Sequence, residues 1–186
     1  LFGFPQNPHA PAGLTLVVAD DYRTPELRAI NREALAHGRP WALVKPQGLL
    51  PLVGPFFVPG RTPCWACLEN RLSHNAEVES YVERRLGRAA PITATRARIP
   101  LAEAQVASMT LLQVARWLAT GQNPTLEGRV TALNIMTGEQ HHHAVVRRPQ
   151  CPDCGDPAAA RVGGREPALR ARTLTGSMPD WVAHCR

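Results

Sequence analysis

Lysine is almost absent: Lys45 is the only one, so a formal charge of +6, from 21 Lys+Arg against 15 Asp+Glu, rests nearly all on arginine. The arginines are spread along the chain, so there is no polybasic block of the kind that grips nucleic acid. Aromatic residues make up 5% and leave few surfaces for stacking bases. A zinc-stabilised nucleic-acid-binding module therefore ranks last among the functions considered. No apolar run approaches the roughly 20 residues that cross a bilayer, and no charged-then-apolar signal segment opens the chain. We expect a soluble, cytoplasmic protein with no membrane partner. Neither G-x-G-x-x-G nor G-x-x-x-x-G-K-S/T occurs, so the backbone cradles for nucleotide phosphates are missing, and this chain alone is not expected to hold ATP.

Cysteine is scarce but patterned. Four of the five cysteines lie in two Cys-x-x-Cys pairs, Cys64-Trp65-Ala66-Cys67 and Cys151-Pro152-Asp153-Cys154. Each pair sets two thiolates on one tight turn, and two such turns complete a closed tetrahedron around Zn²⁺. Disulfides suit small secreted proteins, whereas this chain has 186 residues and an unpaired Cys185. A thioredoxin-like redox pair would leave the second Cys-x-x-Cys unexplained. Four thiolates fill the coordination of zinc and leave no position for water or substrate, which predicts a structural metal at Cys64, Cys67, Cys151 and Cys154. The stretch from Leu68 to Gln150 is long for a zinc finger, so the metal is expected to clamp distant segments of one domain. Arg61, Arg71, Arg147 and Arg148 flank the ligands closely enough to offset the negative charge of such a centre. Cys185 beside His184 has the composition of a nucleophile and base without the positioning, and is read as incidental.

With 44% hydrophobic residues the chain can bury a core. The run Leu14 to Ala19 predicts a strand buried on both faces, ending at Asp20 and Asp21. Thr24 and Pro25 open a helix that Gly38 closes, and Trp41 to Val44 is the next strand, which together make a parallel, right-handed βαβ unit. Ligands of open α/β sheets sit beyond the carboxyl ends of the strands, which places Asp20 and Asp21 at that edge; capping of the following turn is the plainer role for them. Leu49 to Val58 reads as a strand bent at Gly54-Pro55. Leu68, Leu72, Val78, Val82 and Leu86 suggest a helix. Leu101 to Ala119 is the strongest helix, mostly buried, with Leu101, Ala104, Ser108, Met109, Leu112, Ala115 and Leu118 on one face. Thr137-Gly138 between two strand-like runs signals an antiparallel hairpin. His141, His142 and His143 alternate across a strand and cannot converge on one ion, so an exposed strand is expected.

The strings Val17-Val18-Ala19-Asp20-Asp21-Tyr22, Leu27-Arg28-Ala29-Ile30-Asn31 and Pro40-Trp41-Ala42-Leu43-Val44-Lys45 resemble the second half of the ThiF/MoeB-like superfamily, relatives of ubiquitin-activating enzymes. The stretches from Gly54 to Leu68 and from Arg147 to Gly155 look more narrowly like the ThiF-like component of cyclodehydratases that make thiazole/oxazole-modified peptides, including bacteriocins. The resemblance covers about Leu14 to Gly155. It implies an α/β fold, the C-terminal half of a Rossmann-type ThiF-like domain with a four-cysteine structural zinc and an antiparallel hairpin. It implies zinc ligands at Cys64, Cys67, Cys151 and Cys154, and a leader-peptide-binding scaffold that presents a ribosomal precursor peptide to a YcaO-type partner, which uses the ATP. In adenylating relatives an aspartate at the end of the equivalent strand serves magnesium-ATP, and Asp20 is the nearest match, although Asp-Asp-Tyr departs from their usual Asp-Asn. The alternative is thus an adenylating activator of a sulfur-carrier protein. Homodimers are common in the superfamily. Residues 1–160 are expected to form the partial ThiF-like domain and residues 161–186 a linker or tail. A chain that starts at Leu1 without methionine is read as a fragment or processed piece.

Overall fold

A computed structural model describes residues 13–88, 90–92 and 97–156. The elements run β1 (Thr15–Val18), α1 (Leu27–His37), β2 (Trp41–Lys45), β3 (Leu52–Phe57), α2 (Trp65–Asn75), α3 (Glu77–Arg85), α4 (Pro100–Thr120), β4 (Arg129–Leu133) and β5 (Gln140–Ala144). The strands form one five-stranded sheet in the order β1-β2-β3-β4-β5. β1 and β2 are parallel across the α1 crossover, and the later neighbours are antiparallel. The expected βαβ unit and hairpin are both present. Cys185 and the expected tail 161–186 lie outside the described residues.

Strand alternation divides the core in two. Trp41 and Leu43 point to one side of the sheet with Tyr22, Leu27, Phe57, Trp65 and Leu68, where α1, α2 and the cysteines pack. Ala42 and Val44 point to the other with Val53, Phe56, Val106, Trp117 and Leu126 under α4. Trp41 stacks on Phe57 at 4.5 Å between ring centroids, and Trp117 meets Phe56 edge-on at 5.9 Å, so large aromatics anchor each layer. The buried Tyr22 hydroxyl, with one proton to donate, sits within hydrogen-bond reach of the carbonyls of Leu43, Leu52 and Gly54, which ties the turn after β1 to β2 and β3.

Four sequence expectations need correction. Among the described residues β1 is an edge strand, with Leu16 39% and Val18 63% exposed, and is not buried on both faces. α1 begins at Leu27 instead of Pro25, because the Thr24 hydroxyl donates to the Asp21 carbonyl at 2.7 Å and closes a turn before the helix. The helix expected from Leu68 to Leu86 breaks at Ala76, whose φ of −113° and ψ of 52° leave the helical region, and α3 buries no residue. α4 turns Ala102, Val106, Thr110 and Trp117 to the sheet. The face chosen from the sequence points outward instead, with Leu101 85% and Leu112 57% exposed. Among the described residues, no helix is long and apolar enough to cross a membrane.

Candidate metal centre

Cys64 precedes α2 as its N-cap residue, and Cys67 lies in the first turn, where its N–H donates to the Cys64 carbonyl at 3.1 Å. Free N–H groups and the helix dipole at this end favour thiolate over thiol. Cys151 and Cys154 occupy a turn closed by Cys151 N–H to the Arg148 carbonyl at 3.0 Å and Gly155 N–H to the Cys151 carbonyl at 2.9 Å. Residue 155 must be glycine, since a Cβ there would stand 2.3 Å from the Pro149 oxygen and 2.5 Å from the Cys151 oxygen. Gly155→Ala is therefore expected to cost about 1–3 kcal/mol by forcing backbone apart. Thermal melts of the purified protein would show this as a fall in Tm, and an unchanged Tm would refute the reading.

The two turns place all four Sγ atoms within 4.8 Å of one another. Cys64 Sγ lies 3.6 Å from Cys151 Sγ, and Cys67 Sγ lies 3.5 Å from Cys154 Sγ. These separations exceed the roughly 2.05 Å of a disulfide and approach the edge of about 3.8 Å of a tetrahedron with metal–sulfur bonds of about 2.3 Å. Cys64, Cys67 and Cys151 are buried and Cys154 is half-buried. A set of four soft donors that closes on itself can hold a metal ion, and no side is left open for a substrate. The hydrogen bond from Cys64 pulls the Cys67 thiol down to about 4, while the same bond, helped by burial, pushes Cys64 well up. Burial pushes Cys154 up to about 11. Without metal, Cys67 is the preferred thiolate, and the shifts of Cys64 and Cys154 favour their protonated forms.

Asn31 joins the turns, and sequence reasoning missed it. It is 1% exposed on the buried stripe of α1. Its Oδ1 accepts the Trp65 N–H at 3.0 Å, at the start of α2, and its Nδ2 donates to the Asp153 carboxylate at 2.9 Å, inside the second turn. Arg32 Nε reaches the other Asp153 oxygen at 3.2 Å. The Trp65 indole N–H donates to the Tyr22 carbonyl at 2.8 Å, which fixes the turn to the sheet. A polar residue among Leu27 and Ala34 at helical spacing is the signal that could have revealed Asn31.

The flanking arginines do less for the cluster than their sequence positions suggest. Arg61 pairs with Glu127 at 2.8 Å and lies over Trp117, Arg71 reaches the Ala144 carbonyl, and Arg147 donates to the carbonyls of Gly60 and Thr62. The backbone N–H of Arg148 approaches Cys67 Sγ at 3.5 Å. Arg147 acts instead as a strap between the chain after β5 and the loop that leads into Cys64.

Asp20 is exposed in the bend after β1. Asp21 caps the turn, its Oδ1 accepting the Arg23 N–H at 2.8 Å, and Arg23 continues to Glu83 at 3.2 Å. Beside them at the end of β2, burial lowers the pKa of Lys45 and the Asp21 charge opposes that shift. His141, His142 and His143 are all exposed on β5, with His142 turned to Thr131 at 2.9 Å, as strand alternation requires.

No family model and no curated protein matches the chain. A solved heterocyclase, in complex with substrate and cofactor, is 36% identical over 83% of this chain and 22% of its own length, with a TM-score of 0.74. The heterocyclase TruD is 38% identical over 91% of this chain and 26% of its own, with a TM-score of 0.73. E. coli MccB, solved with MccA, matches at 17% identity over 77% of this chain and 40% of its own, with a TM-score of 0.57, a likeness of fold alone. The chain thus spans about a quarter of the length of the two heterocyclases. The fold and these identities, together with the two cysteine turns brought to one point, place the chain in the ThiF-like family that includes these heterocyclases.

Proposed function

We propose that this chain is the zinc-clamped scaffold segment of an azoline-forming cyclodehydratase, a component without an ATP site of its own that presents a ribosomal precursor peptide to a YcaO-type partner. The carrying observation is the 36–38% identity to heterocyclases over most of the chain, joined to a four-cysteine cluster that can bind metal but offers no open coordination position. Zinc is the metal that four buried thiolates on two Cys-x-x-Cys turns suit best, with Cys64, Cys67, Cys151 and Cys154 as ligands. It supplies rigidity and no chemistry. A reducing cytoplasm, the compartment in which such thiols stay free, fits the assignment. The chemistry belongs to the partner, in keeping with the missing phosphate-loop motifs.

Reconstitution tests this. The intact protein that contains this segment, combined with a YcaO-type subunit or domain, ATP and a Cys/Ser/Thr-rich precursor, is expected to shorten the precursor mass by one water per ring. Full activity after deletion of the segment would defeat the proposal. The second reading, an adenylating activator of a sulfur-carrier protein, draws on Asp20 at the carboxyl end of the parallel pair, with Lys45 close by on β2. It requires carrier-dependent exchange of pyrophosphate into ATP that is lost with Asp20→Ala.

A further inference from the structure

Among the described residues, no strand pairs with the outer side of the second hairpin strand, where Arg71 alone reaches a carbonyl, that of Ala144. Val145 N–H donates to the Gly128 carbonyl at 2.8 Å and Asn134 N–H to the Glu139 carbonyl at 2.9 Å, which sets the phase of the antiparallel ladder. In that phase His141 and His143 bond inward to β4, while Gln140, His142 and Ala144 turn their N–H and C=O groups away from it. No further strand follows β5 in the sheet of described residues. Next to this edge, on the α2 side of the sheet, lies a groove of about 250 Å³. Leu68 and Leu72 wall it from the helix, Val130 and Val145 from the sheet, and Arg71 and His143 stand at its rim. None of its lining residues carries a carboxylate.

We propose that the open edge of β5 and this groove together bind a separate peptide as an added strand, with an apolar side chain and an acidic one on the same face. Main-chain pairing to Gln140, His142 and Ala144 gives the extended conformation. Strand alternation then sends every second peptide side chain toward α2, where the apolar one fills the space between Leu72 and Val145. Arg71 selects the acid. It now donates to the outward carbonyl of Ala144 at 3.4 Å, a long contact, and a peptide N–H that takes over this carbonyl frees the guanidinium for a carboxylate. A second copy of this chain is the poorer occupant, since the β5 side chains on that face, His141 and His143, are imidazoles and do not match an apolar groove. The proposal does not rest on the cyclodehydratase assignment, and its test uses the metal-loaded chain because α2 walls the groove.

The test uses the full 186-residue chain labelled with ¹⁵N and ¹³C and a synthetic hexapeptide with valine, aspartate and leucine at alternate positions and threonine between them. Peptide-induced shifts are expected at the amides of Gln140, His142 and Ala144 and the methyls of Leu68, Leu72 and Val145. Replacing the peptide aspartate by lysine should weaken binding about tenfold. Arg71→Glu should weaken the aspartate peptide similarly and restore the lysine one, and Arg71 is exposed, so the fold survives the change. N-methylation of the peptide backbone should abolish binding. Shifts elsewhere or none at all, affinities indifferent to the charge exchange, or β5 shifts that track protein concentration alongside a dimer in sedimentation would each overturn it.

Discussion

Stripping the metal with a strong chelator, or removing one ligand by Cys151→Ser, is expected to unfold the α1/α2 side of the sheet at physiological temperature. The magnitudes decide this. Structural zinc contributes roughly 10–16 kcal/mol in small peptides, against a typical net domain stability of about 5–15 kcal/mol. The bonds that hold the second turn are few and polar: Asp153 to Asn31 and Arg32, Arg148 N–H toward Cys67 Sγ and, just before the turn, the Arg147 strap to the Gly60 and Thr62 carbonyls. Hydrogen exchange should therefore accelerate first in the turn around Cys151 and in α2, before the α4 side, whose core of Val106, Trp117 and Leu126 touches no cysteine. The same cluster makes metal uptake pH-dependent. Cys64 is pushed up and Cys154 sits at about 11, so both hold protons near neutrality, and binding must release them. Affinity should thus rise with pH above neutral and fall below it, as read by zinc competition titrations with proton release followed in weak buffer. Protein purified without metal that melts like the loaded form would end the structural-zinc assignment.

The parts legible in the sequence are those fixed by local chemistry. Gly38 at a φ of 64° ends α1 where a left-handed residue must stand, and its N–H returns to the Ala34 and Leu35 carbonyls. Thr137-Gly138 turns the hairpin, and the two Cys-x-x-Cys spacings mark four thiols that the fold gathers into a cluster able to hold a metal ion. What failed depends on distant neighbours. The run Thr15-Leu16-Val17-Val18 reads the same whether a strand is central or at an edge, and only the sheet order shows that, among the described residues, β1 pairs with β2 alone. α4 carries Leu101, Val106, Leu111, Leu112, Val114 and Trp117 around most of its circumference, so periodicity could not choose a face; the fit of Trp117 against Phe56 chose it. Asn31 was invisible for the same reason, since its partners Trp65 and Asp153 lie 34 and 122 residues away.

That bridging amide gives the sharpest single-residue expectation. Asn31→Leu leaves the Trp65 N–H without its acceptor and takes one donor from Asp153, a loss of about 1–3 kcal/mol. Asn31→Asp should cost more, about 3–5 kcal/mol, because it sets a second carboxylate where the Nδ2 of Asn31 now meets Asp153 at 2.9 Å. The introduced acid, buried against a like charge, has its folded pKa raised above the unfolded value. Its deficit is therefore small below the ordinary carboxylate range and widens as pH rises through neutrality. Combining Asn31→Asp with Asp153→Asn exchanges the two groups: the carboxylate at position 31 accepts both the Trp65 N–H and the new amide, and the exposed Arg32 loses only a weak pair. Chemical denaturation of the single and double variants should show the double recovering most of the loss. If the double variant is no better than Asn31→Asp alone, Asn31 is a packing residue and its amide does not join the two cysteine turns.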